Sequence, residues 1–275
     1  MIELPEAAVL AQQLNAAIRT KTIRSAVAAQ SPHKFAWYSG DPAAYSGLLT
    51  GKTVGSAASL GGMVEIQVED VNLLFSDGVN LRFHRAAEER PLKHQLLIEF
   101  EDATALSATV AMYGGLSCCP PGANDNPYYL VARDKPSPLT ERFNAAYFGG
   151  LFLSETARLS LKAFLATQQR IPGLGNGVLQ DILYQARLHP KRKVETLGEG
   201  GKQALFDALK TTLGEMAKAG GRDIERDLFG DAGGYPTRMS KNTAGEPCPA
   251  CGSPVQKQNY LGGSIYFCPG CQKES

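Results

Sequence analysis

Two cysteine pairs, Cys248-Pro-Ala-Cys251 and Cys268-Pro-Gly-Cys271, constrain this chain more than any other feature; 16 residues separate them. Four thiolates at this spacing can close on one tetrahedral Zn²⁺, a site with no open position and therefore structural rather than catalytic. Residues 255–260 and 264–267 read as two strands joined through Leu261-Gly262-Gly263, so a zinc β-hairpin finger is expected. The alternative is two disulfides in an exported protein. It is disfavoured by Glu3 and Glu6, which lie where a secretory signal would be basic and then apolar. The cytoplasm is the expected location.

A finger of this size is a small part of a 275-residue chain that is 43% hydrophobic and 20% charged. That composition suits compact domains and excludes disorder, collagen and coiled coil. A membrane span is not expected, because the longest uncharged stretch, 103–124, carries Gly114-Gly115, Pro120-Pro121 and several Ser and Thr. The net charge of +1 is unevenly placed. Residues 1–135 hold 11 Lys and Arg against 14 Asp and Glu, whereas 136–275 hold 17 against 13. A polyanion would be gripped mainly by the second half, with salt-dependent affinity; a solvated surface of mixed charge fits the same numbers.

The first half reads as a helix followed by strands. Pro5 suits a first helical turn, and Leu10, Leu14, Ala17 and Ile18 share one face. Val64, Ile66 and Val68 alternate with polar residues as in a half-buried strand. Asp77-Gly78 predicts a hairpin turn between 73–75 and 79–83, and a second hairpin is expected from 96–100 and 106–110. Short strands in this density indicate a β-sandwich or barrel. Five prolines from Pro120 to Pro138 break regular structure, so 119–138 is taken as a linker between an N-terminal domain (1–118) and a helical one (139–240), followed by the finger (241–275). Helices are expected over 154–167, from Val178 to before Pro190, and over 202–218, ended by Gly220-Gly221. Cys118-Cys119 is read as core packing, with no activating base in view.

Arg170-Ile-Pro-Gly-Leu-Gly-Asn176 precedes the second of these helices. Gly173 and Gly175 would let backbone approach a partner, and the helix amides would face an anion such as phosphate. The unit ends in a basic run that includes Lys191 and Arg192.

Together, Met1-Ile2-Glu3-Leu4-Pro5-Glu6, the 171–190 unit and the finger at 248–271 resemble the formamidopyrimidine-DNA glycosylase and endonuclease VIII family, in the same order and over nearly the full length. The resemblance implies an α+β multidomain fold: an N-terminal helix and β-sandwich, then a helix–two-turn–helix domain with a zinc finger. It further implies a partner, duplex DNA with a damaged base or abasic site, bound in the cleft by a protein that works as a monomer without any membrane. The damaged nucleotide would be flipped out to expose its glycosidic carbon. Glu3 then matches the carboxylate that assists sugar opening, Glu6 a supporting acid, and Asn176, beside Gly175, a phosphate ligand. Met112 and Tyr113 are the candidates to fill the gap left by the flipped base.

Three positions depart from the family pattern. Ile2 stands where the family has its nucleophilic proline, Gly62 where it has a hairpin lysine, and Gly263 where it has a finger arginine. Removal of Met1 would leave Ile2 with a primary amine able to form an imine; retention displaces the amine by about 3.8 Å of chain. The expected activity is therefore excision of a damaged base through Glu3-assisted hydrolysis, or weak lyase action by the terminal amine. The rival is a catalytically silent protein that binds damaged DNA. Two lesser readings complete the set. Glu3 and Glu6 could merely favour the first helix dipole, and the 222–238 segment reads as a flexible, mixed-charge recognition loop.

Overall fold

The computed structural model describes residues 1–274. Helix α1 (Leu4–Ala17) opens the chain with Pro5 in its first turn. Its Leu4 belongs to the core of the helical half, whereas Ala7, Leu10 and Leu14 pack into the core of the sheet. One helix thus seats both halves of the molecule.

Strands β1 (Ile23–Ala28) and β2 (Ala36–Ser39), a short helix α2 (Tyr45–Leu49), then β3 (Val54–Leu60), β4 (Met63–Val68), β5 (Val71–His84), β6 (Leu96–Phe100) and β7 (Ala105–Cys119) build the N-terminal β-sandwich. The strand order is β1-β6-β7-β5-β4-β3, antiparallel throughout, with β2 added parallel to β7. The predicted strand at 64–68 and the 96–110 hairpin are present.

Asp77-Gly78 is not a hairpin turn. The register shifts between Asp77 and Val79 inside a continuous β5, which pairs with β7 on both sides of the shift. Asp77 takes a positive φ of 60°, and a Cβ at Gly78 would lie 2.5 Å from the Tyr113 carbonyl oxygen. The doublet has turn chemistry yet lies opposite a bulge, where the single residue Gly78 of β5 faces three residues of β7, 111–113. Such a bulge bends and twists the ladder without ending it, because Val79–His84 still finds β7 as partner.

The proline-rich 119–138 stretch also departs from expectation, since it contains helix α3 (Pro127–Asp134). Pro127 occupies the first turn, where a missing N–H costs nothing, and the Asn126 side chain accepts from the Tyr128 amide at 2.9 Å. Tyr129 is buried with Met63 and Leu74 and donates to Glu65 at 2.8 Å, so this segment is packed onto the sheet.

Helix α4 (Ala145–Gly149) leads into the helical half. The helix expected over 154–167 is only α5 (Leu161–Ala166), preceded by one 3₁₀ turn. Ser160 caps it, and the Leu161 and Lys162 amides donate to the Arg192 and Pro190 carbonyls instead of continuing a helix upstream. Helices α6 (Val178–Gln185) and α7 (Glu199–Lys218) follow as predicted. Strands β8 (Gln256–Tyr260) and β9 (Gly263–Phe267) form the finger hairpin.

The 222–238 segment is pinned between the halves rather than free. Leu228 is fully buried in the core of the sheet. Its amide donates to Gln13, its carbonyl accepts from Phe83, and Gln13 also donates to Asp227. An apolar side chain in a mixed-charge run supplies the anchor that charge counting overlooks.

Candidate active site

A cavity of about 610 Å³ opens between the two halves, lined by Met1, Glu3, Asp77, Tyr113, Asn176 and Glu225 among others. Its wall is made by the glycine turn before α6. Gly173, at φ +78°, lies so close to the β3–β4 turn that a Cβ there would come within 2.0 Å of the Gly62 amide nitrogen. A Cβ on Gly62 would in turn sit 3.1 Å from both Gly173 Cα and the Ile2 carbonyl oxygen. Gly62 is therefore packed closely against the glycine turn and the first residues of the chain.

The amides at the start of α6 do face an anion, and it is internal. Gly177 and Val178 donate to the two Glu3 carboxylate oxygens at 2.9 and 2.8 Å. This corrects the reading of those amides as a phosphate seat. A Cβ on Gly175 would fall 2.5 Å from Glu3 Oε1, and one on Gly177 only 1.9 Å from Arg222 Nη1. These glycines make room for a carboxylate and a guanidinium of the same chain. Glu3 stands at the N-cap position of α1 but gives that helix no side-chain bond; it caps α6, 174 residues away in sequence.

Arg222 is the hub of the site and was not singled out in the sequence. It is 1% exposed. Its Nε and Nη2 donate to the two oxygens of Glu6, both at 2.8 Å. It also lies 3.6 Å from Glu3 and 3.7 Å from Glu225. Glu6 is thus spent on a bidentate ion pair that positions the guanidinium. Burial pushes the Glu3 carboxyl above the ordinary carboxylate range, outweighing Arg222 and the two amides, which pull it down.

Ile2 is buried, and its nitrogen is a peptide amide that donates to the Asp77 carbonyl at 2.6 Å. The terminal amine belongs to Met1, half-exposed in the cleft and paired with Glu225 Oε2 at 2.6 Å. Glu225 is the second residue that sequence reasoning missed; its acidic neighbours made it look like ordinary surface.

Asn176 is exposed at the rim, where its amide donates to the Ser264 carbonyl at 3.0 Å. Next to it Gly263 faces Lys162, a buried lysine whose ammonium donates to the Tyr260 carbonyl at 2.6 Å; burial lowers its pKa. Lys191 and Arg192 do not line the cavity. Lys191 donates to Gln258 of the finger at 2.6 Å and lies over the Tyr260 ring, while Arg192 bonds Thr196. Glu3, Ile2, Gly175 and Asn176 therefore come together at the cleft, Glu6 stands behind them, and the basic pair lies outside it.

The four finger sulfurs all lie within 4.8 Å of one another. Pairs 248–271 and 251–268 are 3.8 and 3.3 Å apart, far beyond a disulfide bond of about 2.05 Å. A tetrahedron with metal–sulfur bonds of about 2.3 Å needs sulfurs about 3.8 Å apart, so the donor set fits a bound metal ion. Cys118 is buried in the sheet core, and burial pushes its thiol up to about 11, as suits an inert packing residue.

Residues 135–227 match the family model described as the formamidopyrimidine-DNA glycosylase H2TH domain. The chain is 38% identical over 152 residues to the formamidopyrimidine-DNA glycosylase of Thermus thermophilus, an alignment that spans 53% of this chain and only 55% of that relative. Structural similarity reaches further. The crystal structure of the MutM (Fpg) protein from Thermus thermophilus superposes with a TM-score of 0.82 and 30% identity over 99% of both chains. A complex between the Lactococcus lactis Fpg and an abasic site containing DNA also gives 0.82, at 25% identity over 98% of this chain and 99% of that one. With 30% identity and a common fold over 99% of both chains, the chain belongs to the formamidopyrimidine-DNA glycosylase family.

Proposed function

We propose that this protein is a DNA-repair glycosylase that flips a damaged base out of duplex DNA into the inter-domain cleft and excises it. One observation carries the reading: Glu3, a carboxylate with its pKa raised by burial, forms part of the cavity wall. Such a group can take a proton from water attacking the glycosidic carbon. The Lactococcus relative bound to an abasic site containing DNA supports the choice of partner. Asn176 and Gly175 would meet the DNA backbone at the rim, with Lys191 and Arg192 adding positive charge beside the finger.

Strand cleavage, where it occurs, falls to the amine that reaches the cavity. With Met1 in place the Ile2 nitrogen is an amide and no nucleophile, so the Met1 amine would condense with the aldehyde of an abasic site, losing water to give an imine. Glu225 holds that amine at the cleft.

The test is base release from a panel of lesion-bearing duplexes, read with and without hot alkali. Alkali converts abasic sites to breaks even when the protein leaves the strand intact. The expected result is alkali-dependent breakage, together with a borohydride-trapped adduct on the Met1 peptide for abasic DNA. No release from any lesion, with binding retained, would favour the silent damage-binding protein. The two missing cations at Gly62 and Gly263 and the engagement of both Glu3 oxygens speak for that rival.

The finger is proposed to hold one structural Zn²⁺ on Cys248, Cys251, Cys268 and Cys271. Structural zinc sites contribute on the order of 10–16 kcal/mol to folding of finger peptides, and the small core of this unit rests on Cys248 and Cys268 themselves. Elemental analysis should find one zinc per chain. Chelation should melt the β8–β9 hairpin and weaken DNA binding, while the helical core around Phe164 and Leu183 stays folded. Unchanged DNA affinity after complete metal removal would refute the assignment.

A further inference from the structure

The protein has one tryptophan, and it lies in water. Trp37 is 53% exposed on β2, and Phe35, in the turn just before that strand, is 46% exposed. Such large apolar surface is ordinarily buried. Trp37 pairs in register with Gly115 of β7. Its ring packs against Tyr113 at 6.0 Å between centroids, tilted by 44°. Tyr113 lines the cavity, and its hydroxyl lies 3.9 Å from the Met1 sulfur. An aromatic ledge therefore runs from the outer sheet into the cleft. Lys34 stands over the Phe35 ring at 5.3 Å, placing a cation at its outer end.

We propose that Trp37, backed by Tyr113, is a stacking platform for an unpaired nucleobase of the bound DNA. The inference rests on the DNA-binding reading above and assigns it a residue outside the Glu3 site. Size argues for a base over a protein partner. A stable protein interface needs about 800 Å² per partner, whereas a buried aromatic side chain supplies about 150–250 Å²; Trp37 is half exposed and Tyr113 less so. One or two rings match one or two bases, with Lys34 placed for a backbone phosphate.

As the sole tryptophan, Trp37 reports directly. Titration with a duplex holding an abasic-site analogue opposite a normal base should quench its fluorescence, and a fully paired duplex of the same length should not. Trp37→Ala should weaken binding of the abasic duplex by about five- to a hundredfold, the worth of one base–aromatic stack. Binding of the paired duplex should be unchanged, and Trp37→Phe should recover most of the loss. Equal quenching by both duplexes, or a Trp37→Ala protein that binds the abasic duplex like the wild type, would overturn the platform while leaving DNA binding intact. Failure of the wild type to bind either duplex would instead overturn the reading on which it rests.

Discussion

Glu3→Gln is expected to lower base release by about 10²–10⁴-fold, the usual worth of a positioned general base. The exchange preserves shape but alters the α6 cap. Glu3 serves two amides with two oxygens; a glutamine accepts through one and turns an NH₂ group toward the other. One buried amide is left unpaired, at about 1–3 kcal/mol. A drop of a few degrees in Tm should therefore accompany the loss of activity, far too little to account for it at assay temperature. The pH profile gives a second readout. A base works only when deprotonated, and burial raises the Glu3 pKa. Wild-type activity should consequently decline with falling pH above the ordinary glutamate value of about 4.3. Release by Glu3→Gln at the wild-type rate would remove Glu3 from the chemistry.

Arg222→Met carries the largest expected effect on stability. Burial works against the charge of Arg222, and Glu3 and Glu6 more than offset that penalty. Without the guanidinium, Glu6, at 6% exposure, keeps only the backbone amide of residue 222 at 3.3 Å on one oxygen and loses the partner of the other. Breaking a buried pair from one side costs about 3–5 kcal/mol, which for a chain of this size is on the order of ten degrees in Tm. Removing both charges together spares Glu6 that penalty and leaves Glu3, still held by two amides, and Glu225 without their cation. The double variant Glu6→Leu/Arg222→Met should accordingly regain much of the loss, and a thermal double-mutant cycle measures the coupling. Additive losses would show that the pair is not the source of the penalty.

The parts of this molecule legible in the sequence are those whose signals are local. The C-x2-C knuckles, the periodicity of α6 and α7 and the alternation of β4 each depend on neighbours within a few residues. Pro127 and Asp77-Gly78 were misleading for a related reason: proline reads as a breaker and Asp-Gly as a turn, yet proline can begin a helix and Asp-Gly can continue a strand opposite a bulge when tertiary partners are at hand. The site was partly legible. Glu3 stood out only through the resemblance, because its partners Gly177, Val178 and Arg222 lie about two-thirds of the chain away or further. Glycines at 173 and 175 signalled close approach correctly, and what approaches is a backbone turn and a carboxylate; Gly177, beside the Arg222 guanidinium, was not singled out.

Helix α1 is rooted in both cores, the β3–β4 turn rests on Gly173, and Leu228 plugs the sheet from the helical side. A clamp riveted at three points cannot spend much of its own conformational freedom on fitting a ligand. In the proposed complex the fit would then come from the nucleic acid. Bending a short site by 40–90° costs on the order of 1–6 kcal/mol in sound duplex, and an abasic gap or an unstacked pair softens it. In the proposed complex such a frame would favour the more easily bent, damaged duplex before any damaged base is touched.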